Sequence, residues 1–199
     1  NVTIKDLVVN TDGKAKHGIQ FYCTEGGELS GVTVNGGSYT SVIVNGSTGI
    51  SIENCTLNPD NGAYANIEYA MGSGVTTVPS VTVSNPKYDS SKPLVYVDST
   101  TIKAITKNEN PSNDDITKAL EQVNKNVTIS GMEMVWVNGS FVAKPIPTPV
   151  DPDDDDDDNN NSGSSSVRRY DIEADAGRGG DISPDGRVRV RRGENQTFR

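Results

Sequence analysis

Apolar and polar positions along the chain recur at a period of about 25 residues. The recurring unit reads apolar-x-small-apolar-x-apolar and is usually followed by Asn or Ser. It runs Ile4-Lys5-Asp6-Leu7-Val8-Val9-Asn10, then Leu29-Ser30-Gly31-Val32-Thr33-Val34-Asn35. It returns as Ile52-Glu53-Asn54-Cys55-Thr56-Leu57-Asn58 and as Val78-Pro79-Ser80-Val81-Thr82-Val83-Ser84. The first apolar residues of these copies lie 25, 23 and 26 residues apart. A weaker copy begins at Ile102, with Ala104 and Ile105, and a clearer one at Ile129, with Gly131, Met132 and Met134. Self-similarity at this period signals stacked units rather than one globular core.

A second apolar seam keeps the same period: Ile19-x-Phe21, Val42-x-Val44, Ile67-x-Tyr69 and Leu94-Val95-Tyr96-Val97. Each unit therefore predicts two strands of roughly four to six residues, with Gly, Asn, Asp and Ser in the turns. One unit cannot cover its own apolar face. Units stacked about 4.8 Å apart pair every strand above and below and line a continuous cylinder with Val and Ile. A leucine-rich repeat has a similar period, but this chain holds five leucines in 199 residues, and Val and Ile suit strands.

Over roughly residues 1–144 these repeats resemble the right-handed parallel β-helix of the pectate-lyase-like superfamily, whose rungs carry short Asn-containing repeats like Ile50 to Asn58. The resemblance implies an all-β fold of about five to six coils. It also implies two enzyme classes to be weighed. The lyases use an Arg or Lys base with acidic side chains that hold Ca²⁺ beside the sugar carboxylate, and the related hydrolases use clustered carboxylates.

Beyond the repeats, Ile116, Leu120 and Val123 fall at helical spacing. Ser112 or Asn113 stands ready to cap, and Asp114 and Asp115 sit in the first turn. One short helix near residues 113–124 is expected against the C-terminal end of the stack, where an uncovered rung would expose strand edges. Val135 to Val142 reads as a hairpin around Asn138-Gly139, with the single tryptophan, Trp136, as a lid. Three regions follow: a β-helix with its cap at 1–144, a Pro/Asp/Asn/Ser linker at 145–166, and a partial β-rich module at 167–199. The linker is stiffened by proline and extended by repelling carboxylates. Its run Asp153 to Asp158 offers oxygens to Ca²⁺, but Ca²⁺ sites need ligands fixed by a turn, so the run reads as a solvated, disordered spacer. No cofactor is expected.

All eight arginines lie at 168–199 and all ten lysines before 145. Charge is −4 over 1–150, −7 over 151–166 and +2 over 167–199, within a total of −9. The last segment, with Tyr170 to Ala174 alternating as a strand and Val188-x-Val190 as another, looks like the opening half of a small β-repeat common in bacterial surface and secreted proteins. Its thirty-three residues hold too few apolar side chains to fold firmly alone. The chain opens on Asn1-Val2-Thr3-Ile4, already inside a repeat, and so reads as a fragment of a longer protein.

Chemistry is sparse. No arginine stands in the β-helix, which disfavours an arginine base. The acids Asp6, Glu25, Glu28, Glu53 and Glu68 form no adjacent pair, and the sole histidine, His17, reads as a surface turn residue. Cys23 and Cys55 read as small apolar residues of the stack. The Asn-x-Ser/Thr triplets, as at Asn54 and Asn138, read as turn chemistry. No glycine-rich segment ends in the Lys-Ser/Thr of a phosphate loop, and the acidic run would repel a nucleic acid. No apolar run reaches the ~18–20 residues that span a bilayer, so no membrane insertion is expected. Tyr22, Tyr39, Tyr64 and Tyr69 recur near the second seam, where exposed rings can stack on sugars; a polysaccharide or host glycan is the expected partner. The sequence thus predicts a bacterial secreted or cell-surface adhesion or display protein, with a polysaccharide lyase or glycoside hydrolase as the alternative.

Overall fold

The computed structural model describes residues 2–147, 169–174, 180, 182–184, 186–191 and 196–198. The chain divides into two compact units, Asn1–Ile146 and Pro147–Arg199. The first is a β-solenoid of about four turns, fewer than the five to six expected, because the expected rung at Ile102 is a helix and the one at Ile129 gives a single parallel strand before a hairpin.

Each coil contributes three strands, not two. The first holds β1 (Val2–Lys5), β2 (Val8–Asn10) and β3 (His17–Tyr22); the second β4 (Glu25–Ser30), β5 (Thr33–Asn35) and β6 (Thr40–Asn45). The third holds β7 (Thr48–Glu53), β8 (Thr56–Asn58) and β9 (Ile67–Ala70); the fourth β10 (Val81–Ser84), β11 (Lys87–Tyr88) and β12 (Val95–Val97). Equivalent strands pair in parallel into sheets β1-β4-β7-β10, β2-β5-β8-β11 and β3-β6-β9-β12. The repeat motif bends in its middle, so it supplies two of the three strands. The bend residue is left-handed in every coil: Asp6 (φ 50°), Gly31 (φ 64°), Asn54 (φ 52°) and Asn85 (φ 48°). Only Gly, Asn and Asp enter this region at low cost, which is why the third motif position is small or amidic.

Register stacks the motif residues into columns. Ile4 pairs with Leu29, Leu29 with Ile52, and Ile52 with Val83. Leu29, Ile52 and Val83 are buried. Asn10, Asn35 and Asn58 form an outer amide chain, each Nδ2 donating to the preceding Oδ1 at 2.8 and 2.9 Å. Within the core Phe21 needs room beside Gly27, where a Cβ would lie 2.6 Å from its ring.

The fourth copy of the motif is shifted from where pattern places it. Val83, not Val78, stacks on Ile52, which puts Asn85 over Asn54. Pro79 has no N–H for the ladder, so Val78-Pro79-Ser80 matches the pattern without forming the strand. In the true copy Pro86 stands where Val32 and Cys55 stand below, which hides it. Cys55 is buried as expected, whereas Cys23 is exposed in a left-handed turn (φ 48°).

The weak copy at Ile102 is a helix, α1 (Ser99–Thr106), so the described residues hold two helices where one was expected. Asp98 caps it by accepting from the Thr101 amide at 2.7 Å, and Ile102 is buried with Ile105 half-buried on the same face. The expected helix is α2 (Asn113–Asn126), closed by a reciprocal capping box between Ser112 and Asp115. Ala119 and Val123 bury against the stack. β13 (Val127–Ile129) extends the first sheet, with Ile129 paired to Val83. β14 (Met132–Val137) and β15 (Ser140–Pro145) then form the expected hairpin, which turns at Asn138-Gly139. β15 pairs antiparallel with β12 and ends the parallel stack. Asn124 reaches from α2 to β14, donating to the Met134 carbonyl at 3.0 Å and accepting from its amide at 2.8 Å. Met134 and Phe141 plug the core, and Trp136 covers Phe141 edge-on at 5.6 Å while staying partly exposed.

In the second unit β16 (Arg169–Ala174) pairs antiparallel with β17 (Gly186–Arg191). Asp171 accepts from Arg189 Nε at 3.0 Å, and Ala174 and Val190 are buried. Apart from 145–147, the linker and its Asp153 to Asp158 run lie outside the described residues.

Column stacking predicts a polar test. Ile52→Ala is expected to cost about 3 kcal/mol, through lost apolar burial and an unfilled cavity. Ser51→Ala, on the outer face of the same strand, is expected to stay within about 0.5 kcal/mol. Urea unfolding midpoints at constant slope measure both.

Candidate functional site

Parallel stacking also stacks whatever the coils carry on their outer faces. The turns before β6 and β9 are in register with the residue before β3: the Tyr39 amide donates to the Lys16 carbonyl at 2.8 Å, and the Tyr64 amide to the Tyr39 carbonyl at 3.1 Å. Within the strands, Gln20, Ile43, Glu68 and Tyr96 share one outward register. Rings from successive coils therefore meet in a row. His17 to Tyr39 is 5.8 Å between centroids, Tyr39 to Tyr64 5.6 Å, and Tyr64 to Tyr96 5.2 Å. These spacings follow the strand separation of about 4.8 Å, slightly widened by ring tilt. Lys16 Nζ stands 5.1 Å from the Tyr39 centroid, over its face.

Beneath the rings lies a polar group of His17, Thr40, Tyr64 and Glu68. The Thr40 hydroxyl donates to the Val42 carbonyl at 2.9 Å, so its lone pairs face His17 Nδ1 at 2.8 Å. The network thereby assigns the neutral imidazole's proton to Nδ1, with Nε2 turned to Glu68 Oε2 at 3.8 Å. The Tyr64 hydroxyl donates to the same Glu68 oxygen at 2.7 Å. Burial, and secondarily the Lys16 charge, hold the His17 pKa below its usual range. Burial, helped by the charge of Asp98, pushes the Glu68 carboxyl up, against the pull of the Tyr64 hydrogen bond. Burial and then the Glu68 hydrogen bond raise the Tyr64 hydroxyl beyond any working range. His17 thus stays neutral, and its contact with Glu68 is no ion pair at neutral pH.

Of the four tyrosines expected to bind sugar, Tyr39 (42% exposed) and Tyr64 (38%) belong to the row. Tyr22 is 56% exposed but pairs with Asn45 at the far end of β3 and joins no ring pair among the described residues. Tyr69 is 0% exposed: it stacks on Val44 and donates its hydroxyl to the Pro79 carbonyl at 2.7 Å, so it is a core residue. Its place two residues after Ile67 already puts it on the inward face. Tyr96 and Glu68 lie on the other parity of the same seam, and that alternation is the signal that finds them. His17 is a strand residue packed on Tyr39, not a surface turn.

The other acids stand apart. Glu25, Glu28 and Glu53 lie on the outer face of β4 and β7, where Glu28 pairs with Lys5 at 3.2 Å; Asp6 is a bend residue. A depression of about 330 Å³ opens there between Thr3, Gly27, Glu28, Ser51 and Glu53. It holds no ring. Among the described residues no group of three or more His, Cys, Asp or Glu could hold a metal ion, and no helix is long and apolar enough to cross a membrane. The chain matches no protein-family model, no curated protein and no solved structure with which it was compared.

The two shifts give opposite pH dependences. Between the depressed His17 value and 6.5 the unfolded chain binds the extra proton, so stability rises with pH. Between 4.5 and the raised Glu68 value the folded protein binds it, so stability falls as pH rises. His17→Gln is expected to leave only the falling slope and Glu68→Gln only the rising one, read by urea unfolding at stepped pH from about 4 to 8.

Proposed function

We propose that this protein is a non-catalytic, secreted or cell-surface rod of bacterial origin that displays a glycan-binding face, serving adhesion or attachment. The observation that carries the reading is the ring row: one aromatic side chain per coil along one lateral face, with Tyr39 and Tyr64 exposed at its middle. Rings spaced by one coil offer consecutive apolar faces, and sugars present apolar faces of their own between rims of hydroxyls. A row longer than one ring fits a chain of sugar units lying along the solenoid axis. The acidic segment 151–166 supports the placement, because a repelling spacer holds a rod away from whatever anchors it. No catalytic step is assigned.

The second reading is a polysaccharide lyase or glycoside hydrolase. One observation favours it: Glu68 is a carboxyl with a raised pKa, within hydrogen-bond reach of Tyr64 and near His17. The two readings separate on turnover. Incubation with pectin, alginate and host glycans is expected to give neither new reducing ends nor unsaturated-uronate absorbance; either product would establish the enzyme instead. On an array of neutral and acidic glycans the wild type is expected to bind. Tyr39→Ala and Tyr64→Ala are each expected to weaken that binding about tenfold or more, near 1.4 kcal/mol, and Tyr22→Ala is expected to leave it unchanged. Equal binding by all four proteins would remove the ring row from the function.

A further inference from the structure

The polar group under the rings narrows the ligand. Glu68 spends one carboxylate oxygen, Oε2, on the Tyr64 hydroxyl at 2.7 Å and on the approach of His17 at 3.8 Å. Its other oxygen, Oε1, enters no hydrogen bond or ion pair among the described residues. Every buried side-chain polar atom there has a partner, so Oε1, on a side chain 12% exposed, keeps a narrow opening to solvent. A carboxylate oxygen left open beside a tilted pair of rings is an acceptor waiting for donors at the ring edge.

Resting on the glycan-binding reading above, we propose that the row takes an uncharged pyranosyl glycan, with Glu68 Oε1 accepting hydroxyls of the sugar unit stacked over Tyr64 and Tyr96. A sugar brings both halves of the match, a C–H face for the rings and hydroxyl donors at its rim. Charge selects among sugars. Glu68 accepts from the Tyr64 hydroxyl at 2.7 Å, and Asp98 follows Tyr96 by two residues, so carboxylates flank this stretch of the row. The cation of the row, Lys16, stands at the other end, over Tyr39. His17 is held neutral and adds no positive charge. A uronate or sulfated unit over Tyr64 and Tyr96 would meet like charge while offering fewer hydroxyl donors to Oε1. A neutral hexose polymer meets neither cost.

The full chain is titrated by calorimetry at neutral pH with cellohexaose, mannohexaose, laminarihexaose and a galacturonate hexamer. At least one neutral hexamer is expected to bind about tenfold or more tightly than the galacturonate. Glu68→Gln, nearly the same shape, is expected to lose about tenfold for that hexamer. Its galacturonate binding is expected to hold or improve. Should Glu68→Gln unfold, amide shifts of Glu68 and Tyr96 in the wild-type NMR spectrum are expected to move with the neutral hexamer and stay still with galacturonate. Preference for galacturonate, or unchanged neutral binding in a folded Glu68→Gln, would overturn the proposal and leave the glycan-binding rod standing. No binding of any hexamer, with no binding on the array, overturns both.

Discussion

Every feature of the first unit depends on one constraint: the backbone of each coil must hydrogen-bond, in register, with the coil before and after it. A parallel ladder with a repeat set by the strand separation leaves no freedom to place equivalent residues anywhere but on top of one another. That forces like upon like. Ile4, Leu29, Ile52 and Val83 become a single apolar column, and Asn10, Asn35 and Asn58 become a chain of amides whose donors and acceptors satisfy each other. The corner of each coil must turn in the left-handed region, and the side chains tolerated there, Asp, Gly, Asn and Asn, write the motif seen in the sequence.

The ring row is the same constraint expressed on the outside. No side chain from a distant part of the chain has to be recruited; aromatic side chains near the same corner of successive turns suffice. The cost of assembling such a surface is low, since the rings are held at their spacing by a backbone already fixed by core burial. The chemistry beneath the rings is set by alternation. Glu68 faces outward because Ile67 and Tyr69 face inward, and it is largely covered, with the Tyr64 hydroxyl bonded to it. Burial then holds His17 neutral, so its contact leaves the Glu68 carboxylate without a compensating cation.

How much of this was legible in the residues follows from the same physics. The first three copies of the motif could be read directly because their intervals are nearly equal, and the column they form is the one found. Past Ala70 the coils lengthen: Val83 lies 31 residues after Ile52, and Ile129 lies 46 after Val83. A fixed period then picks the wrong frame, and the wrong frame at Val78 looked better than the true one because Pro86 occupies an apolar position. Ile102 and Ile105 fit a rung in spacing, yet Asp98 followed by Ser-Thr-Thr is a helix start, and three-residue spacing belongs to a helix face. The tyrosines were found as a set, but which of them reach solvent is a question of parity within each strand. Tyr69 fails it, and Tyr96, outside that set, passes it. His17 carried no signal, since its importance comes from Thr40 and Glu68, which are 23 and 51 residues away in sequence.

The uneven length of the coils has an evolutionary reading. Between β12 and β13 the chain leaves the stack, builds α1 and α2, and returns to pair Ile129 with Val83 as though nothing had intervened. Rise along the axis is thus decoupled from the amount of polypeptide a turn carries. Lengthening an excursion at a corner costs only about 0.6 kcal/mol of closure entropy for each doubling. Such a scaffold can acquire new lobes by insertion while the pitch that spaces its tyrosines is inherited unchanged.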